Sequence, residues 1–308
     1  MPQSLRQFFY SHSLSYSKSY PQMLIKVATR KSPLAIKQSE MVCDWLTERL
    51  GEHSFELFPV STEIDSRLDY SLEKQGGIGL FTKELDTALL EGNAEIAVHS
   101  SKDLPIQLPS SLKIIGYLPR ESVSDVLISN KDWREIKSIA TSSPRRRYQL
   151  SAIFPKAKFQ LIRGNVETRL NKISNQEADA TILAEAGLDR LGISQCENLN
   201  FTNLEQDVMV PAAGQGAIAI VCREDCPIDF ESLFCAETYE SVSIEKACLK
   251  VLDGGCQSPA GVYFDSKHLH IYHPMIAYRS FEIKKETFSE KLESAILLME
   301  EIKAEINK

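Results

Sequence analysis

The chain has 308 residues, enough for two or three domains of about 100–150 residues each. Its composition of 43% hydrophobic, 25% charged and 8% aromatic residues excludes an intrinsically disordered protein. Asp and Glu number 42 against 35 Lys and Arg, and a net charge of −7 argues against a general nucleic-acid binder. Apolar runs fall short of the ~20 residues of a membrane-spanning helix. The seven cysteines are an odd number, which predicts free thiols in a reducing compartment, the cytoplasm.

The first 22 residues differ from the rest of the chain. They contain many Ser and Tyr, no Asp or Glu, and no apolar core of the kind that a secretory signal has. We expect residues 1–22 to be a disordered N-terminal extension, or the product of a start codon placed too early, since Met23 opens the first predicted strand. An organelle transit peptide is the alternative, although arginine is scarce there.

Short β-rich runs alternate with helical patterns from Met23 onward, which predicts α/β layers with mostly parallel sheets. The strands are predicted over 24–29, 55–60, 95–99, 114–118, 125–129, 138–141, 159–162, 180–183 and 217–222. The helices are predicted over about 33–50, 82–90, from 144 onward, and 166–173. After about residue 241, one helix leads to an antiparallel meander over 262–264, 269–272 and 275–283 and to a closing helix over 290–306.

The fold class expected from this order is α/β, with two α/β lobes and a small α+β C-terminal domain. The strand at 217–222 is expected to return to the first sheet. Domain 1 would then comprise residues 23–119 and 217–236, domain 2 residues 124–210, and domain 3 residues 239–308.

Polar and basic side chains follow the predicted strands repeatedly, where ligands bind in open α/β sheets. Arginine makes forked, bidentate bonds to carboxylates and phosphates, and helix N-termini attract anions. The pattern therefore predicts a ligand with several acidic groups, although each arginine alone could be a solvated surface charge. The residues at these places are Arg30, Ser32, Ser100, Lys102, Asp103, Ser143, Arg145, Arg146, Arg163 and Arg190.

Other motifs carry weaker signals. The glycines at 76–79 and 214–216 lack the lysine and hydroxyl of a P-loop and the full dinucleotide spacing, so we interpret them as tight turns with close backbone approach. The cysteines at 222, 226 and 235 lack a second paired motif, and the histidines at 268, 270 and 273 suit an exposed hairpin. We predict no metal site.

Cys256 stands after two glycines that follow a predicted helix. This loop can present the sulfur to a ligand, so the thiol is a candidate nucleophile or attachment point. From the residues alone, an incidental cysteine is the alternative.

At these residues the sequence resembles hydroxymethylbilane synthase, the porphobilinogen deaminase family. The resemblance extends from about Lys26 to Phe264, and the order of the motifs makes it specific. The matching motifs are ATRKSPLA at 28–35, GLFTKEL at 79–85, AVHSSKDLP at 97–105, TSSPRR at 141–146, RGNVETRL at 163–170, PAAGQG at 211–216 and GGC at 254–256.

The resemblance implies a three-domain fold in which two lobes like those of a periplasmic binding protein flank a cleft and a third domain carries the cysteine. It implies a transferase that joins four porphobilinogen molecules head to tail, with loss of ammonia, and releases linear hydroxymethylbilane for haem biosynthesis. The implied cofactor is dipyrromethane, attached to Cys256 by a thioether, and the implied state is a monomer.

The resemblance also assigns roles to single residues. Asp103 is the expected catalytic carboxylate, because an ionised Asp beside the pyrrole N–H can stabilise the azafulvenium cation that loss of ammonia leaves. The residues expected to hold the cofactor are Cys256, Lys102, Ser143, Arg145, Arg146, Arg169 and Arg190. The residues expected to bind substrate are Arg30, Ser32, Arg163, Arg120, Lys74 and Lys83.

Two departures from the family pattern keep alternatives open. Glu63 stands where the family commonly has Arg, and Ile78 where many members have Lys, so a weakened paralogue is one alternative. A ligand-binding protein without chemistry is another, although Cys256 and Asp103 favour the enzyme. Nucleic-acid binding through the arginines at 145–147 is disfavoured by the acidic remainder of the chain.

Overall fold

The computed structural model describes residues 23–50, 53–61, 82–226, 231–252 and 258–307. Within these ranges, no helix combines the length and the apolar character needed to cross a membrane. The strands are β1 Leu24–Arg30, β2 Ser54–Val60, β3 Ile96–Ser100, β4 Leu112–Tyr117, β5 Asp125–Ser129, β6 Ser138–Ala140, β7 Lys158–Gln160, β8 Ala180–Ala184, β9 Asn200–Leu204, β10 Ile218–Arg223, β11 Gly261–Phe264, β12 His268–His273 and β13 Ala277–Glu282. The helices are α1 Pro33–Leu50, α2 Lys83–Leu90, α3 Pro144–Ile153, α4 Val166–Ser174, α5 Glu185–Arg190, α6 Ala236–Val251 and α7 Phe288–Ile306.

The first lobe is built on a five-stranded sheet in the order β2-β1-β3-β10-β4. β1 pairs in parallel with β2 and β3, whereas β10 is antiparallel to both β3 and β4. Ile96, Ala97 and Val98 of β3 are all buried, as expected of a central strand covered on both faces. Because β10 follows the second lobe in sequence but lies in the first sheet, the chain crosses between the lobes twice.

The second lobe repeats this plan, with the strand order β7-β6-β8-β5-β9. β6 is parallel to β7 and β8, and β5 is antiparallel to β8 and β9. Two side chains cap the helices that follow the parallel strands: Ser143 accepts the backbone N–H of Arg146 at 3.4 Å, and Asn165 accepts that of Thr168 at 2.9 Å. Both helices therefore begin next to strand ends, where the sequence predicted the ligand.

The C-terminal unit is a three-stranded antiparallel sheet in the order β11-β12-β13, which packs against α6 and α7. Its core includes Ile244, Val262, Ile271 and Met299. The predicted meander and closing helix are present, with ends that differ from the prediction by at most two residues. Together with the two lobes this gives the expected fold class, while the residue bounds of the three domains stay a prediction.

One strand was not predicted. β9 has the sequence NFTNL, and most of its residues are exposed. It pairs only with β5 among the described strands, at an edge of the sheet, and an edge strand needs neither alternation nor a continuous apolar run. β9 pairs here because β5 would otherwise leave its backbone N–H and C=O groups unpaired along one edge. The local sequence of β9 does not show that such an edge is available.

The C-terminal unit is joined to the lobes through a buried carboxylate on α6. Glu245 is fully buried and forms a bidentate ion pair with Arg120, with Oε1 2.6 Å from Nη1 and Oε2 3.0 Å from Nη2. Its oxygens also accept the backbone N–H groups of Gly214 at 2.7 Å and Phe264 at 3.0 Å. Glu245 thus connects α6 to both segments that cross between the lobes.

Replacement of Glu245 by Ala is expected to lower the free energy of unfolding by roughly 3–5 kcal/mol, because removing one partner of a buried pair leaves the other charge uncompensated. Urea denaturation followed by circular dichroism measures this. The matched control is Glu305→Ala, which removes the bidentate partner of Arg279 on the surface and is expected to leave the midpoint near wild type. Equal midpoints for the two variants would contradict the structural role of Glu245.

Candidate active site

A cavity of about 750 Å³ is lined by residues of both lobes and of the C-terminal unit. Nine basic side chains and two carboxylates line it, although the whole chain has a net charge of −7. The basic residues are Arg30, Lys31, Lys102, Arg145, Arg146, Arg163, Arg169, Arg190 and Lys246, and the acidic residues are Asp103 and Glu167. Such a concentration of positive charge suits a ligand with several acidic groups.

The fold brings together most of the residues that the sequence indicated, because the strand ends and the helix N-termini of both lobes meet at this cavity. Ten predicted site residues line it: Arg30, Ser32, Lys102, Asp103, Ser143, Arg145, Arg146, Arg163, Arg169 and Arg190. Their presence in the lining does not test the individual roles expected of them.

Two of the arginines are held by a carboxylate that was not predicted from the sequence. Asp125, the first residue of β5, is fully buried. Its Oδ1 accepts Arg146 Nε at 3.2 Å and Nη2 at 2.6 Å, and its Oδ2 accepts Arg145 Nη2 at 2.8 Å. The other ends of the two guanidinium groups donate to backbone carbonyls, Arg145 to Val210 at 2.6 Å and Arg146 to Ile182 at 2.9 Å.

Burial by itself would raise the pKa of Asp125. The charges of Arg145 and Arg146 outweigh burial and hold this pKa well below its ordinary value. Asp125 therefore stays ionised and compensates the two arginines. A carboxylate at the start of the otherwise apolar run of β5 was the available sequence signal.

Gln215 connects this cluster to the first lobe. Its amide nitrogen donates to Asp125 Oδ1 at 3.0 Å and to the Val123 carbonyl at 2.7 Å, which turns its oxygen toward Lys102 Nζ at 3.4 Å. The flanking glycines permit this approach: Gly214 and Gly216 have φ of +76° and +81°, and a Cβ on Gly216 would lie 2.6 Å from two backbone oxygens. The motif at 214–216 is the tight turn with close backbone approach that the sequence predicted.

The Lys102 ammonium follows β3 and is partly buried. Burial, together with the nearby charges of Arg146 and Arg145, lowers the pKa of Lys102 to about 8, although Asp103 and Asp125 oppose the shift. Lys102 is therefore mostly charged at neutral pH and loses its proton in mildly alkaline solution.

Arg169 lies near Asp103 and Arg163. Its Nε donates to the Gly164 carbonyl at 2.9 Å. Burial, with the charges of Arg146 and Arg163, lowers the pKa of Arg169 to about 10, and Asp103 acts in the opposite direction. Arg169 stays charged at neutral pH and brings a guanidinium to the same region as the Asp103 carboxylate.

Arg190 lies in the lining but also contacts both segments that cross between the lobes. Its Nε is 2.5 Å from Glu121 Oε2, and its Nη2 donates to the Gly216 carbonyl at 2.7 Å. These contacts give Arg190 a structural role, and the binding of cofactor acids expected from the sequence stays a prediction.

Four predicted residues are not found in the lining. Arg120 makes the bidentate ion pair with Glu245, which is a structural contact, and the substrate binding expected of it from the sequence stays a prediction. Lys83, the first residue of α2, is exposed and does not line the cavity. Lys74 and Cys256 lie outside the described residues, as do Glu63 and Ile78.

Lys246 on α6 was also missed, since only its position in the folded chain relates it to the cavity. Among the residues that the structure describes, no group of three or more His, Cys, Asp or Glu side chains is arranged to hold a metal ion.

Residues 25–228 match the family model described as porphobilinogen deaminase, dipyromethane cofactor binding domain. The chain belongs to the porphobilinogen deaminase family. Porphobilinogen deaminases are transferases of tetrapyrrole biosynthesis that act on porphobilinogen, and the matched domain binds a dipyrromethane cofactor.

Two solved structures are similar to this chain at low sequence identity. The VFT2 domain of Bordetella pertussis BvgS, a double mutant, is 17% identical and has a TM-score of 0.42, with 73% of this chain and 90% of that chain covered. The BenM effector binding domain with benzoate is 14% identical and has a TM-score of 0.41, with 70% and 89% covered.

The lining fits the cofactor of the porphobilinogen deaminases. Two linked pyrroles carry four carboxylates and two flat apolar faces. The cavity offers basic groups from three sides together with apolar surface from Leu104, Ile106, Leu183 and Ala186. Asp103 is one of the two carboxylates in this lining, and a carboxylate can accept a hydrogen bond from a pyrrole N–H group.

The pKa of Lys102 generates a pH prediction. We expect kcat/KM for porphobilinogen, which reports the groups of the free enzyme, to fall as the pH rises through about 8, because a neutral amine no longer attracts carboxylates. In Lys102→Arg the fall should move to higher pH.

In the window from about 8 to the ordinary lysine pKa of about 10.4, the unfolded chain binds more protons than the folded one. The contribution of Lys102 to the free energy of unfolding therefore rises with pH in this window. Loss of folded protein through deprotonation of Lys102 thus does not explain the fall in kcat/KM. An identical pH profile of kcat/KM for wild type and Lys102→Arg would contradict the assignment of the fall to Lys102.

Proposed function

We propose that this protein is a hydroxymethylbilane synthase. It joins four porphobilinogen molecules head to tail, loses one ammonia at each step, and releases linear hydroxymethylbilane. The observation that carries the proposal is the basic cavity with Asp103 inside it, in a member of the porphobilinogen deaminase family.

The protein works as a monomer in the cytoplasm, on the route to haem. The six cysteines among the described residues are free thiols, which supports a reducing compartment.

The basic lining binds the carboxylates of substrate and growing chain. Each pyrrole unit carries an acetate and a propionate, so positive charge is needed along the whole length of the chain. Arg30, Ser32, Lys102, Arg163 and Arg169 contribute to this binding directly. Arg145 and Arg146 act mainly as a preorganised positive surface, because Asp125 and backbone carbonyls already orient their guanidinium groups.

Asp103 is the catalytic carboxylate. When the C–N bond of the protonated aminomethyl group (–CH2–NH3+) of porphobilinogen breaks, the electron pair leaves with the nitrogen as ammonia, and a cationic azafulvenium carbon remains. Asp103 stabilises this cation through the pyrrole N–H, while Arg169 and Lys102 balance its charge in the resting site. Asp103 lies in the short 3-10 turn Ser101–Asp103 directly after β3, and the backbone N–H of the buried Ser101 in this turn donates to the Ala217 carbonyl at 3.0 Å.

Cys256 is the attachment point of the cofactor. Leu249 and Ser258, which precede and follow it in sequence, both line the cavity, and this supports the proposal. Ser143, Arg145, Arg146, Arg169, Arg190 and Lys102 would hold the cofactor acids. When bound, the dipyrromethane supplies the pyrrole carbon to which the first substrate is joined.

Replacement of Asp103 by Ala is expected to lower kcat by roughly 10²–10³-fold, as removal of one preorganised stabiliser does in other enzymes. The fold and the covalent adduct should remain, which thermal melting and intact-protein mass verify. The matched control is Glu167→Gln, because Glu167 is the other carboxylate of the lining, and it should change kcat less than ~10-fold. Near-normal turnover in Asp103→Ala would refute the role of Asp103.

Intact-protein mass spectrometry with peptide mapping tests the attachment. The wild-type peptide that contains Cys256 should carry a mass increment of two pyrrole units, and Cys256→Ser should lack it because no thiolate is present. Cys235→Ser, at a partly exposed cysteine that precedes α6, is the control and should keep the adduct. An unmodified wild-type thiol after incubation with porphobilinogen would favour a binding protein or an inactive paralogue.

A further inference from the structure

The C-terminal unit contributes a positive charge to the cavity. Lys246 and Leu249, about one turn apart on α6, both line it. Among residues 231–252 and 258–307, Lys246 is the single basic side chain in the lining. The other eight basic side chains of the lining belong to the two lobes, so Lys246 brings positive charge to the cavity from the C-terminal unit.

The position of Lys246 is fixed by its neighbour in sequence. Glu245 is fully buried and accepts bonds from Arg120, Gly214 and Phe264 at 2.6–3.0 Å. These bonds hold the adjoining turn of α6 against the segments that cross between the lobes. Lys246 therefore projects from a helix whose place relative to the cavity is set by buried ionic contacts.

The ammonium of Lys246 lies at the Asp103 end of the cavity. Its Nζ donates to the carbonyl of Leu104, the residue after Asp103, at 3.4 Å. A second sign comes from His99 on β3: burial, together with the charges of Lys246 and Arg30, lowers the pKa of His99 to about 3. His99 is therefore neutral near neutral pH and adds no further positive charge there.

We propose that Lys246 binds a carboxylate of the pyrrole ring that reacts beside Asp103. An ammonium has three N–H donors, so Lys246 can hold the Leu104 carbonyl and a ligand carboxylate together. Lys246 would then align the reacting ring with Asp103 from the domain that carries Cys256. This inference rests on the proposed function and adds a substrate-binding residue to it.

The test compares Lys246→Met with Lys246→Arg and with Lys250→Met. Lys250 lies one turn further along α6, is exposed and is absent from the lining, so it is the matched control. In Lys246→Met we expect KM for porphobilinogen to rise about ten-fold or more, as for loss of a charged hydrogen bond, with a smaller change in kcat. Lys246→Arg should restore most of the affinity, and Lys250→Met should match wild type.

Two further measurements separate binding from a structural role. The dependence of kcat/KM on salt concentration should be shallower in Lys246→Met, because one charge no longer attracts the polyanion. Intact mass and thermal melting should show an unchanged adduct and fold. A wild-type KM in Lys246→Met, or loss of both fold and adduct in Lys246→Met and Lys246→Arg, would overturn the role of Lys246. If wild type neither carries the adduct nor consumes porphobilinogen, the proposed function itself fails.

Discussion

The ion pairs of buried Asp125 with Arg145 and Arg146 are the interaction on which the cavity depends. Two guanidinium groups that are nearly excluded from water would carry a large desolvation cost without a counter-charge. Asp125 supplies that charge and orients both side chains, and backbone carbonyls bind their remaining edges. The second lobe can therefore present a positive surface before any ligand arrives, which is the condition for strong electrostatic binding.

Glu245 is a second buried carboxylate that compensates the charge of an arginine, in this case Arg120. Both carboxylates are fully buried and both receive an arginine and at least one further donor. Gln215 joins the two networks, because its side chain donates to Asp125 and its carbonyl accepts Arg120 Nε at 2.9 Å. The walls of the cavity thus belong to one connected set of buried polar groups, which explains why residues from distant parts of the sequence hold a common geometry.

The charge distribution suits a substrate that grows in negative charge. Each pyrrole unit adds two carboxylates, while the protein outside the cavity is acidic and repels the chain. Lys102 and Arg169 keep lowered pKa values because burial and neighbouring positive charges disfavour their protonated forms. Ligand carboxylates would relieve this repulsion, so the stored charge favours binding of polyanions over neutral molecules.

The sequence by itself determined the fold class, nearly every strand and helix, and most of the charged residues of the cavity. It could do so because periodicity, capping residues and strand-end motifs act over a few neighbouring residues, as at Ser143 and Asn165. Only the tertiary structure decided that Arg120 pairs with Glu245, that Asp125 holds two arginines, that β9 completes a sheet edge, and that Lys246 lines the cavity. These features depend on contacts between residues that are 20 to 125 positions apart or on separate elements of the fold. Local sequence pattern carries no information on which buried charge will meet which partner.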